Sequence, residues 1–294
     1  MQLAVFAHHL YEAAAQTGRP IGDIMTEARA LGITGVEYDM ADLRDPAGEL
    51  SRLQAAGLCV SSIYGFHDFG RNPDPARGLA QADLAVSMQA ERIMIIPGFH
   101  ETGADPAGND ADPAGTGADS AGNGADPTAS AREADRVRML EAVAAICAYA
   151  GTKGLTVTME DFDDAASPIA TSAGMLWFAE RIPSLRITYD TGNFLYSGEA
   201  ELEAFERLSG RIVHVHCKDR ALDGSRGGEP KTAVTGLVMH PCPVGSGSIR
   251  MAAILEKLKG IGYAGFLTIE HFGAPDQLAF LRQSATWLKE RIEA

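Results

Sequence analysis

Four segments in the second half of the sequence each carry a side chain that could bind a metal ion or transfer a proton. They read LTVTMED, LRITYD, RIVHVHCKD and GFLTIEHF, and the side chains are those of Glu160, Asp190, His216 and Glu270. The alternation of apolar and polar residues is typical of strands, in which every second side chain faces the same way. On the polar face of its predicted strand, each of the four residues lies at or near the C-terminal end.

Three carboxylates brought together without a cation would repel one another, and at least one would have to stay protonated. A divalent ion relieves this repulsion. Three carboxylates and one imidazole suit Mn²⁺, Mg²⁺ or Co²⁺, in a site that water or substrate completes. Each residue alone also fits an ordinary role, such as a turn, a helix cap or a buried histidine. Their occurrence in phase at four successive strand ends favours the metal site.

Other polar residues near these strands are candidates for contact with a substrate. Lys218 follows His216 by two residues and therefore points to the same side, where it could bind a hydroxyl, carboxylate or phosphate group. Asp219 could pair with Lys218 or orient a metal ligand from behind. The glycines of PVGSGSI, residues 243–249, could bind an anion through backbone N–H groups or form a plain tight turn. Further candidates, for which an ordinary polar role is the alternative, are Glu37, His67 and His100.

Strands and helices that would position these residues alternate along the chain. Strands are predicted near residues 3–8, 35–39, 58–64, 91–96, 155–160, 185–190, 211–217 and 265–270. Helices are predicted near residues 20–31, 47–56, 76–90, 131–150, 169–181, 200–209, 249–259 and 276–292. This alternation predicts an α/β fold of one domain, 1–294, in which eight parallel strands close into a (β/α)8 TIM barrel and their C-terminal ends converge. An open doubly wound sheet is the alternative, but no GxGxxG follows the first strand.

One segment interrupts the alternation after the fourth strand. Residues 103–130 read GADPAGN, DADPAGT, GADSAGN and GADPTAS, so a unit of seven residues is written four times. The unit has no large apolar residue for a coiled-coil seam, and three copies contain proline. The segment is therefore predicted to be a disordered, low-complexity insertion that the fold tolerates. An active-site lid is the alternative.

Composition and charge restrict the class of protein. The chain has 294 residues, of which 46% are hydrophobic, enough to bury a large core. The formal net charge of −14, without a basic run, argues against a nucleic-acid partner. No run of eighteen apolar residues and no leader-like N-terminus occur, so we expect a cytoplasmic protein without a membrane partner. The four scattered cysteines are expected to be reduced. The composition leaves a homo-oligomer open.

The segments TMED, YDTGNFLY, HVHCKD, PVGSGSI and GYAGFLTIEHF resemble the xylose isomerase-like TIM-barrel superfamily, in particular its sugar phosphate isomerase/epimerase family. The resemblance covers nearly the whole chain outside 103–130. It implies one divalent metal ion, with the two glutamates as an acid/base pair, and the implied ligands are Glu160, Asp190, His216 and Glu270. Many relatives have a histidine where this chain has Asn193, which is expected to contact substrate but cannot titrate near neutrality.

The sequence therefore predicts a metal-dependent sugar isomerase or epimerase. Its substrate would be a small ketose, sugar phosphate or keto-polyol, and a proton would be transferred next to a carbonyl group. A dehydratase similar to inosose dehydratases and a non-catalytic barrel that binds a metal or ligand are the alternatives. A metal-dependent repair endonuclease of the same superfamily is disfavoured, because the chain is acidic and has too few matching histidines for a multinuclear cluster.

Overall fold

Strands of five to eight residues form the centre of the protein. The computed structural model describes residues 1–100 and 127–293. Within these ranges the strands are β1 (Gln2–Phe6), β2 (Ile33–Asp39), β3 (Cys59–Phe66), β4 (Arg92–Ile96), β5 (Thr156–Glu160), β6 (Arg186–Asp190), β7 (Ile212–Lys218), β8 (Arg220–Ala221), β9 (Lys231–Thr232), β10 (Val238–Pro241) and β11 (Phe266–Glu270). Parallel pairing closes a barrel in the order β1-β11-β7-β6-β5-β4-β3-β2. The predicted eight-stranded TIM barrel is thus confirmed.

Helices connect the barrel strands and cover them. They are α1 (Ala7–Thr17), α2 (Ile21–Ala30), α3 (Pro46–Ala56), α4 (Ala76–Ser87), α5 (Pro127–Thr152), α6 (Ser172–Arg181), α7 (Glu201–Leu208), α8 (Met251–Gly260) and α9 (Gln277–Glu293), with 3-10 turns at Asn193–Ser197 and Ser209–Arg211. Local sequence explains several boundaries. For example, the Asp45 carboxylate accepts the Gly48 N–H at 3.0 Å ahead of α3, and Gly57 ends that helix in a left-handed conformation.

The two faces of each barrel strand have different chemistry, as the sequence predicts. Outward residues such as Met159 and Tyr189 are buried in the core between strands and helices. Inward residues are polar, and Thr188 donates a hydrogen bond to the Thr158 hydroxyl oxygen at 2.8 Å across β5 and β6. Because the parallel strands all run the same way, their last inward residues face one end of the barrel.

The structure differs from the predicted elements at three places. The first strand ends at Phe6 and α1 follows at once, whereas the sequence predicted a strand over 3–8. No side chain caps α1, so the usual signal for a helix start is missing. The strands β8, β10 and β9 form an unpredicted three-stranded sheet, and each has only two to four residues. Helix α5 begins at Pro127, four residues before the predicted helix.

The predicted insertion, 103–130, lies outside the described residues up to position 126, and its last four residues are the first of α5. Within the described ranges, none of the helices combines the length and the apolar character that crossing a bilayer requires.

Candidate active site

Four buried side chains meet at the C-terminal end of the barrel. Glu160, Asp190 and Glu270 are the last residues of β5, β6 and β11, and His216 lies two residues before the end of β7. Asp190 is in register with His216 across β6 and β7. One ligand atom from each of the four side chains lies within 4.8 Å of the others. The structure therefore brings together the four residues that were predicted as metal ligands.

The charges at this centre suit a divalent cation. Burial raises the pKa of Asp190 well above its usual value; Lys218 opposes this shift, while Glu270 and Glu160 reinforce it. Asp190 Oδ1 accepts the N–H groups of Gly192 and Asn193, both at 2.7 Å, whereas the buried Oδ2 has no hydrogen-bond partner among the described residues. Three carboxylates, one imidazole and an orphaned carboxylate oxygen fit a bound divalent ion.

A chain of buried hydrogen bonds determines which nitrogen of His216 faces this centre. Arg92 can only donate, so its contact with His214 Nδ1 at 2.8 Å makes that nitrogen an acceptor. His214 Nε2 then donates to Glu37 Oε2 at 2.8 Å, and the same oxygen accepts from His216 Nε2 at 3.1 Å. In the neutral imidazole, the lone pair of His216 is therefore on Nδ1. That nitrogen contacts Glu160 and lies 3.4 Å from Glu270 Oε2, on the metal side.

Proton occupancy at His216 follows from the same contacts. Burial alone lowers the pKa of His216, but the carboxylates of Glu160 and Glu37 outweigh it and raise the pKa well above its usual value. The proton on Nδ1, held between His216 and Glu160, occupies the position of the lone pair that a metal ion would bind. Metal binding at this nitrogen must therefore displace a proton.

Lys218 and Asn193 lie beside the four ligands. The Lys218 ammonium group is 2.6 Å from Glu270 Oε1, 2.5 Å from Asn193 Oδ1 and 3.7 Å from Asp190 Oδ2. Burial lowers the pKa of Lys218, but Asp190, Glu270 and Asp163 raise it well above its usual value. Asn193 donates to the Asp161 carbonyl at 2.7 Å, which fixes its amide orientation. A rigid ammonium group is thus held next to the carboxylate of Glu270.

A cavity of about 360 Å³ opens at this end of the barrel, a volume typical of sites for small molecules. Aromatic residues in its lining are Phe6, Tyr64, Phe66, Phe162 and Phe272. Polar residues in its lining are His8, Asp39, Asp42, Glu160, Asp163, Asn193, Lys218, Arg220 and Glu270. This mixture suits a polyhydroxy compound, because its hydroxyl groups can contact the polar side chains and its carbon-bound hydrogens the aromatic rings.

Three predicted substrate contacts are not among the residues that line this cavity. Glu37 is fully buried beneath His216, where it accepts hydrogen bonds from the two histidines of β7. His67 is 2.9 Å from Gln81 Oε1 and stacks on the Phe69 ring at 4.6 Å. His100 lies 3.6 Å from Asp135. Both loop histidines therefore contact residues of neighbouring helices, Gln81 in α4 and Asp135 in α5.

Asp219 has a structural position that the sequence did not indicate. Its carboxylate accepts the backbone N–H groups of Arg220 at 2.8 Å, Gly245 at 2.8 Å, Gly247 at 3.0 Å and Ile249 at 3.2 Å. The anion bound by the PVGSGSI glycines is therefore an internal carboxylate. A Cβ at Gly247 would lie 2.2 Å from Asp219 Oδ1, so this close approach requires glycine.

Asp163 and Arg220 line the cavity but were missed as site residues. Asp163 comes three residues after Glu160, and Arg220 comes two residues after Lys218. The alternation that places Lys218 inward could have been continued to Arg220. Asp163 lies in a loop, where no such periodicity applies.

Comparison with known proteins agrees with this architecture. The family model described as Xylose isomerase-like TIM barrel matches residues 25–291. The rhizopine catabolism protein MocC of Rhizobium meliloti is 33% identical over 97 residues, which span 31% of this chain and 29% of that protein. The structure of L-ribulose 3-epimerase gives a TM-score of 0.69 at 17% identity, with 100% of this chain and 95% of that chain covered. The probable 3-DHS dehydratase AsbF of Bacillus anthracis gives 0.69 at 16% identity, with 98% and 99% covered.

Proposed function

Because the chain belongs to the xylose isomerase-like TIM barrel family, we propose that it is a metal-dependent sugar isomerase or epimerase. Its substrate would be a small ketose, sugar phosphate or keto-polyol, from which a proton is removed next to a carbonyl group. The observation that carries this proposal is the meeting of Glu160 and Glu270, from strands three positions apart in the barrel, at one centre that suits a divalent ion. Both glutamates also line the cavity.

The metal would be Mn²⁺, Mg²⁺ or Co²⁺, held by Glu160, Asp190, His216 and Glu270. When bound, it would polarise a substrate carbonyl or hydroxyl group and stabilise the negative charge that develops on the oxygen. His216 is oriented for this role by Glu37, and Asp190 by two backbone N–H groups. These contacts hold the ligands in place before the metal binds.

The two glutamates would then act as an acid/base pair. One carboxylate takes the proton from the carbon next to the carbonyl, and the carbon keeps the electron pair as an enolate. The other carboxylate returns a proton to the opposite face of that carbon, which gives the epimer. Return to the neighbouring carbon instead converts a ketose into an aldose. Lys218 and Asn193 would hold substrate hydroxyl groups beside Glu270 during these steps.

A dehydratase is the second candidate. The fold likeness to AsbF, described as a probable dehydratase, is as close as that to L-ribulose 3-epimerase. The ammonium group of Lys218 lies near the ligands and could donate a proton to a hydroxyl group that leaves from the β carbon as water. The two candidates therefore differ in the fate of that hydroxyl group, since an isomerase retains it.

A screen in D₂O tests the proposal and separates the candidates. The metal-loaded protein is incubated with ketoses, ketose phosphates, keto-polyols and inososes, and NMR follows both the product and the position of deuterium. An isomerase or epimerase gives an isomeric product with deuterium next to the carbonyl. A dehydratase gives a product that lacks one water. Metal binding without turnover of any of these compounds would support a non-catalytic barrel and contradict the proposal.

A further inference from the structure

Arg220 is a buried cation on the wall of the cavity, with an exposed fraction of only 5%. Its backbone is held on both sides. The N–H group donates to Asp219 Oδ1 at 2.8 Å, and the carbonyl accepts from both the N–H and the hydroxyl of Ser248, each at 2.8 Å. Strand β8, which begins at Arg220, also pairs with β10. The loop therefore presents this side chain from a fixed position.

Within the described part of the chain, the charge of Arg220 interacts with the Asp163 carboxylate only at a distance, and that carboxylate is neutralised first by Lys218 and Lys231. No carboxylate oxygen of residues 1–100 or 127–293 forms an ion pair with its guanidinium group, and Nε is buried without a hydrogen bond. Asp163 lines the same cavity, but its carboxylate lies 2.7 Å from Lys231 and 4.0 Å from Lys218. Removing an arginine from water without a paired anion is unfavourable, because all five donors of the group need acceptors.

The surroundings of Arg220 are arranged for a cation. Its guanidinium carbon lies 6.0 Å from the centre of the Tyr196 ring, and the Lys231 ammonium group lies 5.1 Å from the same ring. The Tyr196 hydroxyl is buried and also has no hydrogen-bond partner among the described residues. Lys218 and Arg220 line this part of the cavity together with Asp163, whose carboxylate is already paired with Lys231 from outside the lining.

We propose that Arg220 forms an anion subsite and that the molecule bound in the cavity carries a carboxylate or phosphate group. This inference rests on the proposed function only in taking that molecule to be the substrate. Carboxylate and phosphate groups each present two oxygens that a guanidinium group can bind with two parallel hydrogen bonds. The subsite would bind sugar acids, their keto derivatives or sugar phosphates more tightly than neutral sugars.

Calorimetric titration of the metal-loaded protein tests the subsite without requiring turnover. The probes are D-gluconate, its neutral counterpart D-glucitol, and inorganic phosphate. The variants are Arg220→Gln, Arg220→Lys and Arg226→Gln, the last removing one positive charge from an exposed position in the loop after β8. Arg220→Gln should weaken binding of the preferred anion by about 10- to 100-fold, since hydrogen bonds to charged groups are lost. Arg226→Gln should change it little.

The response to each probe decides a separate question. If Arg220→Gln weakens the binding of D-gluconate alone, the subsite binds a carboxylate group, and if it weakens the binding of phosphate alone, the subsite binds a phosphate group. The binding of D-glucitol should not change in any of the three variants. Arg220→Lys keeps the charge without the paired donors and should give an intermediate loss, so it replaces Arg220→Gln if that variant fails to fold. Equal effects of Arg220→Gln and Arg226→Gln, or no anion binding by the wild type, would overturn the subsite. Anion binding that depends on Arg220 without any turnover would leave the subsite standing and contradict the proposed reaction.

Discussion

His216 Nε2 donates a hydrogen bond to Glu37 Oε2 at 3.1 Å, although the two residues are 179 positions apart in the chain. Glu37 also accepts from His214 and from the Thr268 hydroxyl, so the carboxylate is held from three directions. This relationship orients the imidazole and leaves Nδ1 for the carboxylate cluster. The orientation of His216, and with it the metal affinity of the candidate site, therefore depends on a residue that does not reach the cavity.

Replacement of Glu37 by Gln should weaken metal binding. All three donors contact Glu37 Oε2, so glutamine can keep an acceptor oxygen there, but it lacks the negative charge that raises the pKa of His216 and makes the imidazole a stronger ligand. We expect the affinity for Mn²⁺ or Co²⁺ to fall by about 10- to 100-fold, measured by calorimetry. Glu201→Gln is the control, because Glu201 is a buried carboxylate paired with Arg250 outside the site. Equal metal affinity in Glu37→Gln and the wild type would contradict this role.

The metal site predicts about one divalent ion per chain after dialysis against Mn²⁺ or Co²⁺. Metal at 100 times its Kd should stabilise the fold by about 2.7 kcal/mol, because the ion binds only the folded state. His216→Ala and Asp190→Asn should abolish most of this increase in melting temperature. His67→Ala, at a buried histidine away from the cavity, should leave it intact. Metal content near zero together with an unchanged melting temperature is the opposite result.

Gly247→Ala should destabilise the loop that presents Arg220. The added Cβ would lie 2.2 Å from Asp219 Oδ1 and 2.6 Å from the Arg220 carbonyl oxygen. We expect the free energy of unfolding to fall by about 1–3 kcal/mol, a typical cost of overpacking. Gly151→Ala is the matched control, since nothing lies within 4 Å of its Cβ position in α5. That variant should be neutral or more stable by up to about 1 kcal/mol. Equal stability of the two variants in urea denaturation would contradict the prediction.

The repeat segment is predicted to be dispensable. Since α5 begins at Pro127, the replacement by a short Gly/Ser linker should span residues 103–126 only. Loop-closure entropy changes slowly with length, so the melting temperature should be nearly unchanged, and turnover should change little. A large loss of turnover at an unchanged melting temperature would instead identify the segment as an active-site lid.

The barrel and its four candidate ligands could be predicted because both depend on short-range patterns. Alternation within β5, β6, β7 and β11 identifies the inward face, and the fold then brings the strand ends together. The alternation does not predict how far along the barrel axis an inward side chain lies. Glu37 was predicted as a substrate contact, but it lies beneath His216 and outside the lining of the cavity.

Contacts made by loops were harder to predict. The Asp219 carboxylate accepts the N–H groups of Gly245 and Gly247. Nearby, β8 and β10 pair through only two residues each, too few to give a recognisable sequence pattern. Asp163 and Arg220 likewise reach the cavity from outside the barrel strands. Their positions depend on tertiary packing between segments that local sequence does not connect.

The transfer of a proton between two carboxylates is tested most directly by Glu160→Gln and Glu270→Gln in D₂O, with the metal content of each variant measured first. Glutamine keeps the size and one oxygen ligand but cannot transfer the proton, so turnover should fall by about 10²–10⁴-fold. The wild type should place solvent deuterium at the inverted carbon, whereas each variant should exchange that hydrogen on one face without inverting the centre. Retention of metal together with near-normal inversion in both variants would contradict the two-carboxylate mechanism.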